Sequence, residues 1–361
     1  AAFWDNRLCL DFTYYKTDSR NQILKLATTA ASGYTSQVRN AGHIRNRGYE
    51  IQLGAVPIQT SKGFRWNLDL NYGANSSKVV KLDDEGLITS YRLYSSGIQI
   101  LASVGEAYGT LFGTSYVRDA NGNVVVDANG LPKISTTNKT LGKFTPDWTG
   151  GISNTFSYRS LSLSFLIDAS VGGSIFSNTN KTGKYTGVLA NTLSGRDAEH
   201  GGLWYYTAAM GNNVRLPESP SYSVSSDGLY YAQVNGQSTR VYQDGIMVEG
   251  VTESGSKNEE VVSAEKYYHR IYSIAEANVY DASYVKLREV ALSYRLPRLW
   301  TQKLHLQEAS VTLTGRNLWT IYKSVPNIDP ESALTTGNAQ GVEAYSLPTT
   351  RSFGVNLSVK F

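Results

Sequence analysis

The chain has 361 residues, and its 34 basic and 30 acidic side chains leave a net charge of +4 spread along the whole length, so no basic cluster argues for nucleic acid. A single cysteine, Cys9, excludes an internal disulfide framework and any multi-cysteine metal site. Tyrosine (25) and glycine (33) are abundant and charged residues make up only 18%, which suits strands and turns, while no apolar run approaches the ~18 residues of a membrane helix and a membrane barrel stays open.

In chain order, Ala1-Ala2-Phe3-Trp4-Asp5 carries no signal-peptide pattern and does not look like a natural start, so the expectation is a processed chain or a piece of a longer one. Strict alternation then recurs, the mark of a barrel strand. Leu8, Leu10, Phe12 and Tyr14 oppose Arg7, Asp11 and Thr13; Tyr49, Ile51, Leu53 and Ala55 oppose Glu50 and Gln52. Phe64, Trp66, Leu68, Leu70 and Tyr72 alternate with Arg65, Asn67, Asp69 and Asn71. Trp148, Ile152, Phe156 and Tyr158 alternate with Thr149, Ser153, Thr155 and Ser157, and 161–171 places Leu161, Leu163, Phe165, Ile167, Ala169 and Val171 on one face.

Two later segments change phase. Val285 and Leu287 lie on one parity and Val290, Leu292, Tyr294 and Leu296 on the other, which predicts a β-bulge near Arg288-Glu289. Val311 and Leu313 lead to a second irregularity at Gly315-Arg316-Asn317. The last strand puts Phe353, Val355, Leu357, Val359 and Phe361 on one face.

These signals predict an all-β chain with eight antiparallel strands near 7–16, 44–58, 62–76, 147–158, 160–174, 281–296, 306–323 and 348–361. Short connections alternate with long ones at 17–43, 80–146, 175–280 and 324–347, as in a transmembrane β-barrel with periplasmic turns and extracellular loops. On that reading the C-terminus is periplasmic, and Trp148, Tyr158, Phe64 and Tyr72 stand at the membrane interfaces. An open edge in lipid leaves backbone groups unpaired at several kcal/mol each, so the sheet must close or continue. Small, polar inward faces and very large loops favour a wide lumen and continuation into further strands.

At this level the sequence resembles a known family. Asp281-Ala282-Ser283-Tyr284-Val285-Lys286-Leu287-Arg288-Glu289-Val290, continuing to Leu296-Pro297, is similar to a signature of SusC/RagA-type TonB-dependent outer-membrane transporters. So are Thr314-Gly315-Arg316-Asn317-Leu318-Trp319, Asp329-Pro330-Glu331, the 117–123 and 143–148 segments, and Asp244-Gly245. The resemblance implies a plugged barrel of about 22 strands, of which this chain would be the C-terminal part, without the plug or the N-terminal strands. It implies TonB-dependent import of oligomeric nutrients, glycans or peptides, with a SusD-like surface lipoprotein as partner, and a terminal Phe361 recognised by assembly machinery. Asp281, Tyr284, Lys286, Leu287, Arg288, Arg316 and Asn317 are then signature residues, with Lys286 and Arg288 either lining the lumen or fixing register across the bulge.

The 175–280 loop holds Trp204-Tyr205-Tyr206, Tyr222, Tyr230-Tyr231 and Tyr267-Tyr268, which either meet substrate or partner or pack the loop on itself. Nothing calls for catalysis, a cofactor or a metal: His43, His200, His269 and His305 are scattered, and Asp197, Glu199 and His200 form only a close loop triplet. Asp119-Ala120-Asn121-Gly122-Asn123 has its glycine misplaced for a calcium loop and reads as a tight hairpin turn. The competing readings are an adhesive or structural barrel that transports nothing, and a membrane-embedded hydrolase.

Overall fold

Alternation at period two sends every second side chain to one face, and here it builds one antiparallel sheet in which neighbours in sequence are neighbours in space. The structure, a computed structural model, describes residues 2–4, 7–27, 31, 33–34 and 36–361. Eight long strands form the wall: β1 (Leu8–Ala27), β2 (Ser36–Gln59), β3 (Phe64–Lys81), β4 (Trp148–Tyr158), β5 (Leu161–Val171), β6 (Tyr284–Arg295), β7 (Glu308–Lys323) and β8 (Ser352–Lys360). Ala2–Phe3 adds a two-residue strand on the β1 edge. Among the described residues β1 and β8 are not paired with each other.

Register carries the apolar faces across the wall without a break. One row runs Leu10, Leu53, Leu70, Ile152, Ile167, Leu287, Trp319 from β1 to β7. A second runs Trp66, Phe156, Leu163, Leu292, Leu313, Val355 from β3 to β8. On the other face the rows are polar: Asp11, Gln52, Asn71, Gly151, Asp168, Lys286, and Arg65, Ser157, Ser162, Ser293, Thr312, Asn356. Hydroxyl pairs bridge strands there, Ser157–Ser162 at 3.1 Å and Ser293–Thr312 at 2.9 Å.

The apolar face is bare. Phe12, Tyr14, Leu313, Phe353 and Leu357 are all more than half exposed, a continuous greasy surface that water would not tolerate. Its aromatics lie in two bands: Tyr49, Tyr72 and Trp148 in one, with centroids 6.1 and 5.5 Å apart, and Trp66, Phe156 and Phe165 in the other, at 5.6 and 6.1 Å. Along β3 the bands, at Trp66 and Tyr72, are separated by roughly 20 Å at ~3.3 Å per residue.

The phase slips fall where the alternation changes. Pairing with β5 steps from Glu289 to Leu287 and leaves Arg288 as the bulged residue. On β7 the step from Arg316 to Trp319 skips Asn317 and Leu318, and the Asn317 φ of 51° is the left-handed turn that asparagine tolerates. A third slip, between Ala55 and Ile58, surrounds Pro57, which has no N–H to give the ladder, and Arg7 donates to the Val56 and Pro57 carbonyls instead.

One expected boundary is corrected. The span 17–43 is not a long loop, because β1 and β2 stay paired from Asp18–Arg45 out to Ala27–Ser36. The apolar alternation stops at Tyr14, but backbone pairing continues with polar side chains: Asp18 accepts from Arg45 Nε at 2.8 Å and contacts His43 Nε2 at 2.6 Å. Alternation reports contact with an apolar phase, whereas pairing needs none. The expected strand 160–174 likewise ends at Val171, and Ser174–Ser177 belongs to a different sheet.

The remaining long connections fold into a lobe on one rim of the wall. Segment 80–146 supplies a four-stranded sheet, and 175–280 supplies further strands with helices α1 (Asn178–Thr186) and α2 (Ala264–Tyr272). The 119–123 turn is a hairpin, with Asp119 N–H bonded to the Asn123 carbonyl at 3.0 Å. The best-buried core of the chain lies in this lobe and draws on three connections: Ile98, Ile100 and Leu111, then Phe176 and Ala275, then Val342. Ser174–Ser177 joins them, antiparallel to Val279–Asp281 and parallel to Val342–Glu343. Among the described residues the connections on the wall's other rim are tight turns and α3 (Arg298–Lys303).

Asn154 is the polar exception among the apolar-face rows, 7% exposed, and its Oδ1 accepts the Trp66 indole N–H at 3.0 Å. Trp66→Phe should therefore orphan that amide, and Asn154→Leu the indole N–H, at about 1–3 kcal/mol each, while the double substitution should cost clearly less than their sum. Urea unfolding of the intact protein refolded into lipid vesicles measures all three; additive losses would refute the assignment.

Candidate functional site

Where the wall meets the lobe, β6 presents Tyr284, Lys286 and Arg288, one turn of pleat apart, towards the connection after β7. Lys286 is 3% exposed, and its ammonium donates to Asp329 Oδ1 and Glu331 Oε2, both at 2.6 Å. Arg288, freed from the ladder by the bulge, donates to Asp168 Oδ1 on β5 at 2.7 Å and also bonds Glu331. Tyr284 O–H donates to Glu331 Oε1 at 2.8 Å. Thr349 bonds the second Asp329 oxygen through both its N–H and its hydroxyl.

The result is a five-member charged clamp in which every charge has an opposite partner. Burial alone would raise the Asp329 carboxyl, but the bonds from Lys286 and Thr349 outweigh it and hold it at about 2. Glu331 is also burdened by burial, and bonds from Arg288, Lys286 and Tyr284 pull it below its ordinary value. Neighbouring signature residues hold the same corner. Asp281 accepts the Ser283 N–H at 2.6 Å, Arg316 Nε donates to Glu289 at 2.9 Å across the bulge, and Asn317 donates to the Thr350 carbonyl at 3.1 Å. Leu287 sits in the apolar row, and Phe361 is 83% exposed beyond the end of β8.

The aromatic candidates divide. Trp204 and Tyr205 are 5% exposed, in the lobe's own sheet. Trp204 packs on Tyr222 and Tyr230 at 4.9 and 5.4 Å, and Tyr205 stacks on Tyr242 at 5.3 Å while donating to Asp244 at 3.0 Å. Those two have little surface left for a ligand. Tyr206 and Tyr231 are half-buried in the same sheet, and Tyr230 shows 38% of its surface. His200 Nδ1 meets Asp197 at 2.8 Å in an exposed loop, and among the described residues no three His, Cys, Asp or Glu side chains are placed to hold a metal.

Sequence reading missed two features. Glu343 is fully buried, and its carboxylate accepts from Ser177 Oγ (2.7 Å), Thr179 Oγ1 (2.6 Å), Thr179 N–H (3.2 Å) and Ser346 N–H (3.1 Å). It thus docks the 324–347 connection against the N-terminus of α1, where a negative charge is favoured. The other is a cavity of ≈ 580 Å³ between α1, α2 and the 116–134 ladder, into which Tyr116, Lys184, Tyr267 and Tyr268 project. No local pattern marks either, because their members come from segments far apart in sequence.

No family model matches the chain. In sequence, TonB-dependent receptor P3 of Formosa agariphila is 27% identical over 390 residues, covering all of this chain and 33% of the relative. TonB-dependent receptor P26 of the same organism is 24% identical over 389 residues with the same coverage. In fold, the structure of the RagAB peptide transporter matches the full chain with a TM-score of 0.61 at 17% identity, over 34% of that chain. The RagAB peptide importer in its closed-closed state gives 0.60 at 18% identity. Over its whole length the chain is thus similar to TonB-dependent receptors in sequence, and it shares its fold with part of RagAB. It spans about a third of the length of the relatives it matches. A bare apolar face of this kind fits the lipid side of an outer-membrane β-barrel wall.

The clamp should be acid-labile. Both carboxyls titrate below their unfolded values, so the clamp's contribution is complete above about pH 4 and is lost as pH falls towards 2. Pepsin cleavage within 324–347 should rise over that window before the wall unfolds. At neutral pH, Lys286→Met leaves Asp329 without its cation, while Glu331 keeps Arg288, and should cost about 3–5 kcal/mol, read as faster hydrogen exchange in 324–347. Unchanged exchange would mean that the connection is held elsewhere.

Proposed function

We propose that the protein to which this chain belongs imports oligomeric nutrients, glycans or peptides, across the outer membrane with energy from the TonB system. The carrying observation is that the whole chain aligns with one third of TonB-dependent receptors in sequence and of RagAB in fold. The geometry supports the same reading. Among the described residues the long connections leave one rim of the wall and fold into a lobe with its own core, while the opposite rim has tight turns and the short helix α3. That lobe is the extracellular side, the turns and the C-terminus are periplasmic, and a SusD-like lipoprotein covers the lobe. The wall continues through β1 and β8 into strands from the rest of the transporter, which satisfies both edges in lipid.

The polar face lines the lumen. Its rows of Ser, Thr, Asn, Gln and Gly hydrogen-bond to passing solutes without trapping them, and Asp168 is neutralised by Arg288. No step of bond making or breaking is assigned to any residue.

Deleting the gene should abolish uptake of fluorescently labelled oligosaccharide or peptide pools, deleting TonB should do the same, and re-expression of the gene should restore it. Uptake that persists in both deletions would sink the import reading. A SusD-like lipoprotein should co-purify with the intact transporter in mild detergent.

A further inference from the structure

The 580 Å³ cavity in the lobe lies within the size range of small-molecule sites and is built from four separate segments. Helix α2 supplies the rings of Tyr267 and Tyr268 on one wall, and the 116–134 ladder supplies Tyr116 opposite them. Ile246 and Met247 add an apolar side from the strand 237–247. The parts are firmly held. Tyr268 O–H donates to the Asn191 and Ser194 carbonyls at 3.0 and 3.2 Å, α2 is tied to the ladder by Arg270 and Asp127 at 3.0 Å, and Tyr185 of α1 stacks on His269 of α2 at 4.1 Å. A site preformed in this way loses little entropy on binding.

Lys184 is the group that does not fit a purely structural role. Its ammonium donates to the Ala277 carbonyl at 2.8 Å and to Asn278 Oδ1 at 3.3 Å, and lies 5.3 Å from the Tyr280 ring centroid. Those are neutral partners, and an ammonium has three donors. Among the described residues it forms no ion pair, although Arg118, Lys133 and Arg270 in the same lobe all have a carboxylate partner. Glu249, which also lines the cavity, is exposed and not within ion-pair distance of it. Burial pushes the Lys184 ammonium down to about 8, the mark of a cation held without its counter-charge. Buried charges are ordinarily paired, and an unpaired one facing a cavity is a place for a ligand's charge.

We propose that this cavity recognises a carboxylate-bearing unit of the imported oligomer, with the carboxylate on Lys184 Nζ and the body of the unit against the Tyr116, Tyr267 and Tyr268 rings. The proposal rests on the import reading and deepens it. The carboxylate belongs either to a uronate in a glycan or to the C-terminus of a peptide; both offer the same charge-assisted bond, and the rings suit the apolar face of either body.

The test is calorimetric titration of the intact transporter in detergent with four probes: a galacturonate tetramer, the neutral galactose tetramer, a tetrapeptide, and the same tetrapeptide amidated at its C-terminus. At least one acidic probe should bind roughly tenfold or more tightly than its neutral partner, as loss of a charge-assisted bond implies. Which pair shows the difference identifies the source of the carboxylate. Lys184→Met should erase the difference and Lys184→Arg should retain most of it. Because Lys184 also ties α1 to 277–278, Tyr267→Leu serves as the second variant: it leaves those bonds intact and should weaken acidic and neutral probes alike. Equal binding of acidic and neutral probes, no binding of any, or a preference that survives Lys184→Met overturns the site. None of these outcomes touches TonB-dependent uptake, which is measured in cells.

Discussion

A backbone crossing lipid has no water to bond, and this constraint sets the rest of the structure. Every N–H and carbonyl in the wall must find a partner in a neighbouring strand, so the chain runs up and down in strict succession from β1 to β8. Side chains then have one freedom left, the choice of face, and the sequence spends it consistently. A lipid-side row from Leu10 to Trp319 passes through seven strands with an apolar residue at each step. Where polarity intrudes on that face it is answered at once, as Asn154 is by the Trp66 indole.

Irregularities in the wall become useful at its rim. A bulge makes Arg288 the odd residue between two strands and turns its guanidinium to the inner face, beside Asp168 and Glu331. Lys286, in the polar row, lies under Asp329 and Glu331 from a connection more than forty residues later. Burying so many charges is tolerable only because each is met by an opposite one with further hydrogen bonds around it. The clamp gives the lobe a defined seat on a wall whose own surface offers lipid contacts and small polar groups.

The lobe obeys different rules. It builds a closed core from residues of three connections, with Phe176 and Leu111 fully buried. Its connections are sewn together by buried polar groups, chief among them Glu343 at the start of α1. Lys184 lies between neutral partners at the wall of a cavity, while Lys181 on the same helix faces the Phe176 and Tyr272 rings.

Much of this was legible in the sequence. Alternation identified the eight wall strands and the apolar face of each, and the change of parity after Leu287 located the bulge, because period and phase are local properties of a strand. Motifs such as 281–290 and 314–319 marked the corner where the clamp forms, and Asp329-Pro330-Glu331 lay among them without any sign of what it touches. Local pattern failed where pairing outlived apolar contact, as in the β1–β2 hairpin beyond Tyr14. It failed more fully in the lobe, where Trp204 and Tyr205 proved to be interior. Only the tertiary structure could decide which rings were spent on packing, which carboxylates found Lys286 and Arg288, and that Lys184 found none. Those outcomes depend on contacts between segments separated by tens to hundreds of residues, and such contacts leave no trace in the spacing of neighbours along the chain.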